Sequence, residues 1–166
     1  MTKPSTKPST KPFWETKTLA EMSPAEWESL CDGCGKCCCF RVEEWEDLPG
    51  KDHGRVHMTD VACKLLDRDT ARCSDYANRK RHVPDCVRLS AETVGELYWL
   101  PQTCAYRLVS EGRGLFAWHP LVSGRAESVA EAGISVAGLT VAEGDVEEND
   151  HVERIVVWPG EEAVDR

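Results

Sequence analysis

Cys31-Asp32-Gly33-Cys34-Gly35-Lys36-Cys37-Cys38-Cys39 places five thiols in nine residues: a C-x2-C-x2-C-C run with one more cysteine directly after it. That is more sulfur than a core or a single disulfide uses at one point. Cysteines two residues apart in a tight loop can direct their sulfurs at one point, and Gly33 and Gly35 supply the backbone freedom that turns amides toward them. This is how a metal or iron–sulfur site is built.

On the N-terminal side, Ser23 followed by Pro24 and Glu26 reads as an N-cap, a proline at the first helical position and a capping box. The spacing predicts a helix that delivers the chain directly into Cys31. On the other side, residues 42–54 are acidic and turn-rich and read as a long loop, with a short strand at 56–58. Ser90 and Thr93 open a helical pattern that carries Val94, Leu97 and Trp99, and residues 103–109 form another after Pro101. Beyond Pro120, residues 134–136, 139–141 and 155–158 are short strand candidates. The expected fold class is α+β: a small, loop-rich, metal-stabilised single domain over residues 13–166, with a few helices and short C-terminal strands. Residues 1–12 repeat Thr-Lys-Pro-Ser, cannot bury apolar surface, and read as a disordered, partly polyproline II tail.

The chain has nine cysteines in 166 residues, an odd number that leaves one thiol over in any disulfide scheme. No apolar stretch follows a basic start as in a secretory signal, and the apolar runs are too short to cross a membrane. The expectation is a cytoplasmic protein, in whose reducing surroundings clustered cysteines are metal ligands rather than bridges. The formal charge of -9 argues against nucleic acid as a partner. Residues 31–113 carry 13 Lys and Arg against 14 Asp and Glu, whereas residues 114–166 carry 3 against 11. The cations therefore travel with the cysteines. Lys36, Arg41, Lys64, Arg79, Lys80, Arg81 and Arg88 are candidates for lowering thiol pKa values and offsetting thiolate charge. The acidic C-terminal part is the region offered to a protein partner.

Past the cluster come Cys73-x2-Tyr76-x2-Arg79 and Pro84-Asp85-Cys86. Together with Cys31-x2-Cys34-x2-Cys37-Cys38, this pattern resembles the cysteine-cluster proteins of the YcgN/YkgJ type, described as zinc- or iron-chelating. Phe13-Trp14, the segment from Glu28 to Gly35, Trp99-Leu100-Pro101, Thr103-Cys104-Ala105-Tyr106-Arg107 and Trp118-His119-Pro120-Leu121 resemble the YcgN branch in particular. The likeness runs from Phe13 to about Val157. It implies a cytoplasmic bacterial protein that holds zinc or iron, with eight ligand candidates: Cys31, Cys34, Cys37, Cys38, Cys63, Cys73, Cys86 and Cys104. Cys39 falls outside the pattern. One departure concerns Arg79, which the wider family often follows with proline and which Lys80 follows here.

Eight thiols can build two four-cysteine zinc sites, or one four-iron cluster with thiols to spare; either four-thiolate centre carries about -2. The C-x2-C-x2-C spacing is the ferredoxin-like half of a four-iron motif, completed by a remote cysteine, for which Cys86 in its turn is the expected residue. Cys37 and Cys38 are adjacent and their side chains diverge, so one of them reaches a second metal. His119 is a further candidate, as ligand or as hydrogen-bond donor to one. His53 and His57 read as loop residues, His82 and His151 as surface residues, and Tyr76 and Arg79 as hydrogen-bonding support. The chain has no G-x-S-x-G elbow, phosphate-cradling glycine loop, H-E-x-x-H or deaminase signature. Asp32 is the acid/base candidate inside the cluster. The function expected is metal binding through clustered cysteines; the alternative is an iron–sulfur redox enzyme or electron-transfer protein.

Overall fold

Two short helices lead to the cluster in the computed structural model, which describes residues 11–45, 49–50 and 53–162. They are α1 (Phe13–Thr16) and α2 (Pro24–Ser29). The capping box of α2 is formed: Ser23 Oγ accepts the Glu26 N–H at 3.2 Å and Glu26 Oε2 accepts the Ser23 N–H at 2.8 Å. Two orphan amides are thereby satisfied, and the start of the helix is set within three residues. Apart from Lys11 and Pro12, the Thr-Lys-Pro-Ser tail lies outside the described residues.

The cysteine loop ends in a single 3-10 turn, Lys36–Cys38, and continues as β1 (Cys39–Glu44), antiparallel to β2 (Arg55–Ala62). The long loop expected over 42–54 thus starts only after Glu44, because Val42, Glu43 and Glu44 pair with His57, Val56 and Arg55. A hairpin of β3 (Leu66–Asp67) and β4 (Arg72–Cys73) follows, then α3 (Arg79–His82), α4 (Ala105–Ser110), α5 (Pro120–Ser123) and α6 (Ser128–Glu131). β5 (Val141–Ala142) adds in parallel to β2, giving the order β1-β2-β5. The α+β class is as expected, with less regular structure than the patterns suggested.

The Ser90 pattern yields only a 3-10 turn, Val94–Glu96. The Ser90 and Thr93 hydroxyls bond to each other at 3.0 Å, competing locally with helix formation, and Gly95 weakens propagation. Residues 134–136 form no strand, because the Ile134 N–H goes to Val129 O and the Val136 N–H to Cys34 O. Of residues 139–141 only Val141 pairs, and of 155–158 only Ile155 makes a bridge, to Thr59.

Three small buried clusters replace one core. Leu19, Leu30, Val94, Leu100, Ala105 and Tyr106 form the helical one; Cys39, Ala62, Leu66, Ala71, Val136 and Trp158 form one beside the sheet; Cys34, Val129 and Ile134 form the third. The segment from Leu30 to Cys39 contributes a residue to each, so the ligand loop is the seam where they meet. None of the helices among the described residues is long and apolar enough to cross a membrane.

Candidate metal centre

The end of α2 is secured from outside. Its orphan carbonyls need donors. Tyr106 Oη donates to Trp27 O at 2.8 Å and His119 Nε2 donates to Leu30 O at 2.9 Å. Cys31 follows at once. Asp32 Oδ1 then accepts the Cys34 N–H at 2.9 Å, and Cys34 O accepts the Val136 N–H at 2.9 Å. Gly33 and Gly35 have φ +72° and +80°, as the loop reading required, and Gly35 has no room for a side chain. A Cβ on Gly35 would meet Val136 Cγ2 and Ala71 Cβ, and one on Gly33 would meet the Arg72 guanidinium.

The thiols have two main neighbourhoods, bridged by Cys39, which feels both Cys37 and Cys63, and by Cys38, whose thiol meets that of Cys37 where the sequence reading had the two side chains diverge. Cys31, Cys34 and Cys37 lie on the loop itself, and Cys104, at the N-terminus of α4, joins them: the Cys37 thiol and the Asp32 carboxylate each act electrostatically on Cys31, Cys34 and Cys104. Cys63 has Cys86 and Cys73 as its thiol neighbours, and its N–H donates to Cys38 O at 2.9 Å. Cys73 sits in β4 opposite Leu66. Cys86 is held by Lys80, whose Nζ donates to Pro84 O at 2.6 Å and Cys86 O at 2.8 Å, so the lysine that departs from the family pattern pins the turn itself. Cys104 thus has Cys37 as a neighbour, while Cys86, the residue expected beside the C-x2-C-x2-C loop, is a neighbour of Cys63. Cys39 is a core residue, 2% exposed, with its Sγ 3.7 Å from Gly35 O.

Burial pushes Cys31 up to about 11 and Cys104 up to about 12, and it lifts Cys34 well above the ordinary thiol range. A hydrogen bond with Cys38, followed by burial, does the same to Cys37. Cys31 and Cys37 are exposed as residues while their sulfurs lie among packed protein atoms, which is what desolvates them; Cys34 is buried as a whole. Lys36, Arg41 and Arg72 pull Cys34, Cys37 and Cys31 respectively the other way without overcoming desolvation. Left to themselves these thiols keep their protons at neutral pH; a metal must displace them. Among the described residues no three His, Cys, Asp or Glu side chains stand ready to clasp an ion. Ligation therefore requires the thiols to draw closer together. One observation supports a cation here: Asp32 is 6% exposed, and its Oδ2 is buried without a hydrogen-bond partner. An unpartnered buried carboxylate oxygen among soft sulfur donors is an arrangement that a bound cation satisfies.

The histidines are spoken for. His119 uses Nε2 on Leu30 O and accepts the Leu121 N–H on Nδ1 at 3.1 Å, so it braces the residue before Cys31 and has no nitrogen left for a metal. His53 stacks on Tyr98, His57 pairs with Glu44, His82 with Asp75, and His151 lies against Phe40. Tyr76 donates to Glu28 on α2 at 3.2 Å, and Arg79 covers its ring at 3.9 Å, fastening the stretch between Cys73 and Cys86 beside Cys31. Arg41 stacks on Trp99 and reaches Cys37 O and Cys39 O at 3.3 and 3.4 Å. Lys36 lowers Cys34 as expected, and its ammonium is also wholly buried against Thr103 Oγ1, Pro159 O and Glu161. The sequence reading missed Arg72, Thr103 and Glu161. Thr103 adjoins Cys104, which was a usable signal; the other two become visible only through long-range contacts.

A seam of thiols gathered by an α+β scaffold of short elements defines a cysteine-cluster protein. The matching family model is CxxCxxCC, described as "Putative zinc- or iron-chelating domain", over residues 30–105. The chain belongs to the UPF0260 family. It is 54% identical to a UPF0260 protein of Rhizobium leguminosarum bv. trifolii over 148 residues, 89% of each chain. It is 60% identical to one of Mesorhizobium japonicum over 131 residues, 79% of this chain and 84% of the other. No solved structure matches it.

Proposed function

We propose that the protein binds zinc or iron in the cytoplasm at two four-cysteine sites, one made by Cys31, Cys34, Cys37 and Cys104, the other by Cys38, Cys63, Cys73 and Cys86. The observation that carries the reading is that the segment bearing Cys104, from far along the chain, is held against the ligand loop through Thr103, Lys36 and Glu161, beside a buried Asp32 whose Oδ2 has no partner. Two sets of four thiols suit two tetrahedral zinc ions. The C-x2-C-x2-C loop also suits an iron–sulfur cluster, and with it electron transfer, with Cys104 as fourth ligand. All nine cysteines are free thiols, which accords with a reducing compartment. The acidic stretch that includes Glu143, Asp145, Glu147 and Glu148 is the face for a cationic protein partner.

Purification without oxygen, followed by elemental analysis, tests the reading. A colourless protein with two zinc ions per chain supports the zinc form. A brown protein with broad absorption near roughly 400 nm supports the iron–sulfur form. Cys104→Ser removes metal from the first site and Cys86→Ser from the second. Wild-type protein that holds neither metal after loading with each refutes the proposal.

A further inference from the structure

The segment that carries Pro159 and Glu161 packs against the ligand loop and the residues before Cys104. Lys36 lies between Cys34 and Cys37 in the chain and has no exposed side-chain surface; its Nζ donates to Thr103 Oγ1 at 3.1 Å, Pro159 O at 2.8 Å and Glu161 Oε1 at 3.0 Å. Thr103 directly precedes Cys104, and its own hydroxyl and amide donate to Glu161 Oε1 at 2.9 and 3.3 Å. Glu161 Oε2 takes the Gln102 N–H at 2.7 Å. One carboxylate, its side chain 7% exposed, thus joins the loop that carries Cys34 and Cys37 to the segment that carries Cys104. Contact is close enough that Gly160, at φ +83°, has no room for a side chain beside Thr103 Cγ2.

We infer that Glu161 is a positioning residue of the first metal site, fixing Cys104 opposite Cys34 and Cys37 through Lys36 and Thr103. This rests on the metal-binding reading above. Its consequence is reciprocal: if docking of residues 158–161 strengthens metal binding, metal binding must hold that segment down by the same factor. A buried ammonium suits the purpose because, without its carboxylate, it is driven toward water and takes the loop with it.

Zinc titration of the full chain against a chromophoric chelator, with hydrogen exchange of residues 158–162, tests the inference. Wild-type protein should bind two zinc ions, and zinc should slow exchange in that segment. Cys104→Ser should abolish the slowing. Glu161→Ala should weaken one zinc site at least about tenfold, the factor that loss of a charged hydrogen bond supplies, and leave the other unchanged. Thr103→Val keeps the shape and the ion pair but cuts the hydroxyl link, and should weaken the same site about fivefold. Glu161→Ala that binds both ions as wild type does, or a folded variant weakened equally at both sites, overturns the inference. If Glu161→Ala fails to fold, Thr103→Val decides by the same measurement. Wild-type protein that binds no zinc or iron overturns the metal reading itself, a different failure.

Discussion

Replacing Lys36 by methionine keeps the length of the apolar stem and deletes an ammonium that has no exposed side-chain surface and lies 3.0 Å from Glu161. Removing one member of a buried pair costs about 3–5 kcal/mol, because the other charge stays behind without its counter-ion. Here Glu161 keeps the donors of Gln102 and Thr103, at 2.7 to 3.3 Å, so the expected cost falls at the lower end, about 3 kcal/mol. In a chain of this length each kcal/mol moves Tm by about 2–4 °C, which predicts a fall of about 6–12 °C. Glu161→Gln leaves the ammonium as the buried orphan and should cost about the same. The double variant leaves no buried charge, so its cost should fall short of the sum by at least about 1.5 kcal/mol. Urea unfolding of all four proteins, in reductant and saturating zinc, gives the cycle. Single variants that lose less than about 1 kcal/mol, or a double variant additive within about 0.5 kcal/mol, refute the view that this pair locks the seam.

Cys39→Ala should keep both metals, since Cys39 is a core residue, while Cys34→Ser should lose the first; elemental analysis separates them, and equal outcomes would overturn the ligand assignment. In protein stripped of metal, the raised thiol pKa values fix the direction of pH dependence. Cys31 titrates near 11 and Cys104 near 12 against an ordinary 9.0, so the unfolded chain sheds protons first. Stability is then full below about pH 9 and falls as pH rises through 11 to 12; urea midpoints that rise over that range would contradict the burial of these thiols. At neutral pH the same protonated thiols should give up their protons on zinc binding and remain as thiolates, and calorimetry in buffers of different ionisation enthalpy counts the protons released. Gly35→Ala forces a side chain into φ +80° and onto Val136 and Ala71, and should cost about 2–4 kcal/mol, with loss of the first metal. Wild-type stability and metal content in that variant would show that the loop adapts.

The sequence by itself determined what is local. Ser23, Pro24 and Glu26 specify the start of α2, because a capping box closes within one turn. Gly33 and Gly35 specify the ligand loop, because positive φ is a property of single residues. Five cysteines in nine residues, Cys31 to Cys39, pointed to metal chemistry before any contact was known. Tertiary structure decided the remainder. β1 exists because β2 lies beside it, and residues 39–44, read alone, are two strand formers among charges. The spacing pointed to Cys86 as the remote ligand, whereas the fold gives Cys104 the neighbour Cys37 and sets Cys86 near Cys63. Lys36 read as a cation for the thiols, and only the fold shows that it also pairs with Glu161, from the far end of the chain. A pattern of a few residues encodes the interactions those residues make with one another. Which distant segments meet depends on how several short elements share too little apolar surface, and only the folded chain settles that competition.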